Sequence, residues 1–111
     1  MKAAPLAEII KRLNQCEEPI TLRELALLLA LHERRGAPFQ GREVRTLVSV
    51  LGLPKGVISR GANFWERHRM IARQKNTADA RLLALELTLK GARFAAAILE
   101  PGQRLSLMSD D

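Results

Sequence analysis

Residues 52–87 read GLPKGVISRGANFWERHRMIARQKNTADARLLALEL, and a change of period inside this stretch decides the fold. As far as Arg69 the spacing is helical. At roughly 100° per residue, Ile58, Gly61, Ala62 and Trp65 fall on one side of a helix over about 54–68. After Arg69 the period shortens. Met70-Ile71-Ala72-Arg73 reads as a short strand, Gln74 to Ala80 as a polar tip, and Arg81 to Leu87 as a second strand with Leu83, Leu85 and Leu87 on one face. A helix followed at once by a hairpin over about 71–87 is a wing attached to a helix.

Upstream, Gly52 can take the positive φ of a tight turn, and Pro54 suits the first turn of a new helix. Before it, Val44, Leu47, Val48 and Leu51 mark one face of a helix over about 42–51. Two short helices joined by a turn containing glycine form a helix-turn-helix. Ala37 to Gln40 is a short extended connector. Further back, Thr21-Leu22-Arg23-Glu24 is a capping box, with Ile20 and Leu25 placed as a hydrophobic staple. Leu25 to Leu31 is nearly all apolar, so this helix is central in the core, and it ends over His32 to Gly36. Leu6, Ile9, Ile10 and Leu13 define a first helix over 5–16. Downstream, Thr88 caps a helix over about 89–100, closed by Pro101, and 101–111 reads as a flexible C-terminal tail. The expected architecture is one domain over 1–100, mainly α with a small β-hairpin wing: a winged helix-turn-helix.

Charge is concentrated in the same region. Residues 41–81 hold nine Lys/Arg and three Asp/Glu, a surplus of six, which equals the net charge of +6 of the whole chain. Such a surface is suited to a phosphate backbone. On the helix over 54–68, Gly56, Ser59, Arg60, Asn63 and Arg67 lie opposite the apolar side, and Lys55 adds a charge at the start of the helix. Arg can pair with guanine O6 and N7, Asn with adenine N6 and N7, and Ser with bases or phosphates. Phe64 lies at the edge of that face, where core burial competes with a thymine contact. The hairpin adds Arg73, Lys75, Asn76 and Arg81, placed to reach phosphates or a minor groove. Arg42 and Arg45 fit phosphate contacts beside the groove.

These residues also carry a resemblance. Asp79-Ala80-Arg81 followed by Leu87-Thr88-Leu89-Lys90-Gly91 resembles the Asp-x-Arg … Leu-Thr-x-x-Gly signature of the MarR family of winged-helix regulators. Leu53 to Arg60 is similar to the opening of that family's recognition helix, and the likeness extends over about residues 20–99. It implies a winged-helix homodimer on a pseudo-palindromic site. Arg81 would insert at the wing tip, oriented by Asp79 through a charge-assisted bond. Ser59, Arg60 and Asn63 would read or position on bases. The chain is short for the family, and its helices 5–16 and 89–100 are the expected dimerisation elements. Arg69 stands where the family often has Gly, so a less sharp helix end is expected there.

Together these features point to a bacterial, sequence-specific regulator of transcription on double-stranded DNA, a repressor acting as a homodimer. Its helix over 54–68 would enter the major groove, and its wing would lie on the backbone. The alternatives are a winged-helix protein-interaction module and a non-specific DNA-binding accessory protein. No nucleophile–base pair or Gly-rich phosphate loop is present, so no enzyme activity, cofactor or metal is expected. No apolar run reaches the roughly 18 residues of a membrane span. A single cysteine fits a reducing, cytoplasmic setting near the nucleoid. That residue, Cys16, is next to Glu17 and Glu18, which disfavour a reactive thiolate. No effector can be named from the sequence.

Overall fold

Thr21 begins the helix that organises the molecule. In the computed structural model, which describes residues 3–108, its hydroxyl accepts from the Glu24 amide at 3.2 Å, and the Glu24 carboxylate accepts from the Thr21 amide at 2.9 Å. The capping box is therefore complete, and Ile20 and Leu25 are both buried beside it. The chain runs through α1 (Leu6–Asn14), α2 (Leu22–Glu33), a 3-10 turn (Phe39–Arg42), α3 (Val44–Leu51), α4 (Lys55–Arg67), β1 (Ile71–Lys75), β2 (Leu83–Leu87) and α5 (Leu89–Leu99). The strands pair antiparallel, with Ile71 opposite Leu87 and Lys75 opposite Leu83. A single bridge from Glu43 to Ala84 adds a minimal third strand to the wing.

The core lies between α2, α4 and α5. Trp65 is fully buried in α4 and donates its indole N–H to the Glu24 carbonyl at 2.8 Å, so its polar edge is satisfied. Phe64 and Phe94 flank it, with ring centroids 5.0 and 5.8 Å away. Phe64 is thus a core residue. Gly61 faces α2, where an added Cβ would stand 3.2 Å from Leu27 Cδ2.

Two backbone positions set the helix junctions. Gly52, at φ 66°, forms the turn from α3 into α4. Arg69, at φ 61°, takes the left-handed conformation that favours glycine, and the Met70 amide then bonds to the Trp65 carbonyl at 2.9 Å. The end of α4 is therefore sharp despite the arginine, contrary to the expectation above.

The tail is the largest departure from that reading. Leu105 and Leu107 are buried, and residues 101–108 fold back across α1 and α5 as a strap. Arg12, in α1, donates to the carbonyls of Ala97 at 3.3 Å, Ile98 at 2.7 Å and Gln103 at 2.7 Å. Lys90 donates to the Leu107 carbonyl at 2.8 Å. The Glu17 carboxylate accepts from the Ser106 hydroxyl at 2.5 Å and the Leu107 amide at 2.9 Å. The flexible tail over 101–111 is corrected for 101–108, because two leucines and these bonds offset the entropy of ordering. Residues 109–111 lie outside the described residues.

The Ser106 hydroxyl, then backbone N–H groups, hold the Glu17 carboxyl down to about 2. A carboxylate lowered in this way stabilises the fold above its unfolded value, 4.5, and that stabilisation is lost as pH falls through about 2. Amide exchange in the strap is therefore expected to accelerate between those values in the parent, relative to exchange in α2. A Glu17→Gln variant should lack this step.

Candidate nucleic-acid interface

α4 presents one long face to solvent, and the wing rises beside it. Lys55, Arg60, Asn63 and Arg67 are exposed along α4, and Ser59 is half-buried among them. Arg45, Lys55, Ser59, Arg73 and Arg81 come together around one hollow of about 400 Å³ between α3, α4 and the wing. Val44, Val48, Ala62, Leu83 and Leu85 form its apolar lining. The fold thereby gathers cations from positions 45 to 81 around a single concavity. Arg60 lies outside it, beside the start of α2 in a separate hollow with Thr21 and Val57.

The wing tip is built by its own side chains. Asn76 Oδ1 accepts from the amides of Ala78 at 2.7 Å and Asp79 at 3.0 Å. Asp79 accepts from the Arg81 amide at 3.0 Å and from Arg81 Nε and Nη2 at 3.1 Å each. The Arg81 side chain remains 90% exposed. Arg81 lowers the Asp79 carboxyl below its ordinary value, and Asp79 raises the Arg81 guanidinium. The expected orienting bond is thus present at the tip. Asn76 is engaged in shaping the turn, a role the sequence reading did not give it.

Arg42 departs most from the expected site. It donates to the carbonyls of Ala37 at 3.0 Å and Leu85 at 3.1 Å and to Gln74 Oε1 at 3.1 Å, and its side chain is only 11% exposed. It ties the 3-10 turn to the wing, so the phosphate contact expected of it is corrected to a structural role. Arg67 is exposed, but it lies over the Phe64 ring and pairs with Glu18 at 3.3 Å. His68 meets the same carboxylate at 3.0 Å. These bonds, that to His68 first, lower the Glu18 carboxyl. Arg45 pairs with the buried Glu43 while keeping most of its own surface in water. Arg73 pairs with Glu66 at 3.3 Å and bonds to Asn63. Among the described residues, Lys55, Arg60 and Lys75 have no acidic partner. The Arg81–Asp79 pair is exposed, and such pairs contribute little, so a phosphate can replace the carboxylate of Arg81 at small cost.

Two sequence features are settled by position. Thr88 caps α5 by accepting from the Gly91 amide at 3.0 Å, and its hydroxyl donates to the Arg69 carbonyl at 2.6 Å. The Asp79–Gly91 signature therefore joins the wing tip to the root of α4. Cys16 is buried, and burial, then Glu17, push its thiol up to about 11, so the thiolate is scarce.

The architecture is that of a winged helix-turn-helix protein. No model of a protein family matches the sequence, and no curated protein matches it. Solved structures do match its fold. A mutant of S. aureus MepR bound to an oligodeoxyribonucleotide superposes with a TM-score of 0.72 and 21% identity, over 83% of this chain and 63% of that one. A MarR family transcription regulator superposes with a TM-score of 0.66 and 25% identity, over 83% of this chain and 56% of that one. A mutant of Lactococcus lactis ZitR matches with a TM-score of 0.59 and 17% identity, over 72% of this chain and 51% of that one. The chain has the winged-helix fold of these MarR-family structures and spans a little under two thirds of the MepR chain. Among the described residues, no helix is long and apolar enough to cross a membrane.

Proposed function

We propose that this chain is a sequence-specific transcriptional regulator that binds double-stranded DNA as a homodimer and acts as a repressor. α4 enters the major groove, and the wing lies on the backbone or minor groove. The observation that carries this reading is the shared orientation of two elements. Lys55 and Ser59 from α4 and Arg73 and Arg81 from the wing border one concavity, and Glu43, the carboxylate in its lining, is paired with Arg45. The likeness to a MepR structure solved with an oligodeoxyribonucleotide supports the same use of the fold. The dimer is assigned to the terminal segments, where Leu6, Leu89 and Met108 leave apolar surface in water.

Fluorescence anisotropy on random duplex DNA across a salt series tests the reading. Binding is expected to weaken steeply with salt as counterions are released. Arg81→Ala should weaken binding to every duplex and lower the log–log salt slope by about 0.9 for each phosphate that is no longer neutralised. Asn63→Ala should mainly change base preference. No binding at low salt would favour the protein-interaction module, and equal binding to all duplexes would favour the non-specific accessory protein.

A further inference from the structure

Asn63 stands on the outward face of α4 between Ser59 and Arg67, where its amide would read a base edge. A bidentate bond to adenine needs both ends of that amide, the carbonyl accepting from N6 and the amino group donating to N7. Here one of the two lone pairs of that carbonyl is engaged. Arg73 reaches across from β1 and donates to Asn63 Oδ1, while its Nε is held 3.3 Å from Glu66 Oε1, also on α4. A guanidinium carries donors only, so the amide atom facing it has to be the oxygen. The bond fixes the orientation of the amide, with the carbonyl turned to Arg73 and the amino group, which can only donate, on the other side.

We propose that Arg73 is a specificity-determining residue: by holding Asn63 Oδ1 toward itself, it presents the amino group of Asn63 to the groove and directs it to guanine instead of adenine. The inference rests on the DNA-binding reading above and adds the base to it. The remainder of the face agrees. Lys55, Arg60 and Arg67 are donors only, and Ser59 is the one neighbour that can also accept. Glu66, the nearest carboxylate on the helix, is paired with Arg73 through Oε1. A face dominated by donors fits the edge richest in acceptors, and guanine alone offers two, N7 and O6, in the major groove. Arg73 therefore acts through Asn63, not through the phosphate contact that its charge suggests.

The test is selection of bound duplexes from a random library with the full chain and its variants. Asn63→Ala identifies the base pair that Asn63 reads, as the position whose preference flattens. Guanine at that position in the parent supports the proposal, and any other base there overturns it, whether or not the Arg73 variants fold. Arg73→Met frees the carbonyl and is expected to raise adenine over guanine at that one position by about tenfold. Arg73→Lys keeps a donor at Oδ1 and should retain guanine. A folded Arg73→Met protein with an unchanged profile overturns the proposal and leaves the DNA-binding reading intact. Absence of binding by the parent overturns both.

Discussion

Gly91→Ala is expected to destabilise the protein by about 3 kcal/mol or more, among the largest effects of any single methyl group in the chain. A Cβ at this position would stand 2.0 Å from the Met70 carbonyl oxygen and 2.9 Å from its carbon. That backbone cannot retreat easily. The Met70 amide is bonded to Trp65, and its carbonyl accepts from the Thr88 amide at 3.0 Å. Making room means moving the start of α5 away from the junction of α4 and β1, which breaks the Thr88 hydrogen bonds on both sides. With a total stability of about 5–15 kcal/mol, such a change removes a large part of the margin. Urea denaturation followed by circular dichroism measures it as a lowered midpoint. Gly41→Ala is the control. An added Cβ there meets Ala37 Cβ at 3.5 Å, an ordinary separation, and the change should stay within about 0.5 kcal/mol. Equal midpoints for the two variants would contradict the close approach at Gly91.

Arg12→Ala is the second large effect, expected at about 3 kcal/mol. The Arg12 guanidinium is buried and donates to three carbonyls, two of them in the last turn of α5, where that of Ala97 also accepts from the Glu100 amide. Its charge also complements the negative end of α5. Alanine would leave the Ile98 and Gln103 carbonyls without this donor and open a void beneath the strap. The effect should appear as a lower thermal midpoint and as faster amide exchange at Leu105 and Leu107. Affinity for DNA, at temperatures where the variant is folded, should change little, because Arg12 lies away from α4 and the wing. Unchanged exchange in the strap would show that Leu105 and Leu107 hold it without Arg12.

The contrast between these residues shows what a sequence makes legible. The Thr21–Glu24 box, the Thr88 cap, the Gly52 turn and the Asp79–Arg81 pair are interactions over two to four positions. Their physics is local, so their spacing is visible in the chain. The change from helix to hairpin at Met70 is equally plain. Arg12 and Arg42 are different. Their main acceptors lie 85 to 91 and 43 positions away, and backbone carbonyls carry no sequence signature. Both look like ordinary surface charge until the fold is known. The same holds for Asn63, whose amide is oriented by a residue ten positions along on another element. The strap does leave a trace. Leu105 and Leu107 alternate around Ser106 after a helix that ends in apolar residues, a pattern fit to cover an edge.

Trp65 has a practical consequence beyond packing. It is the only tryptophan of the chain, and the chain has no tyrosine, so fluorescence excited at the red edge of aromatic absorption comes from one indole. That indole is fully buried on the helix assigned to the groove and is tethered to the Glu24 carbonyl in α2. Its colour therefore reports whether α4 is seated on α2, without any label. Unfolding shifts it to longer wavelength, and a rigid-body approach to DNA leaves it in place.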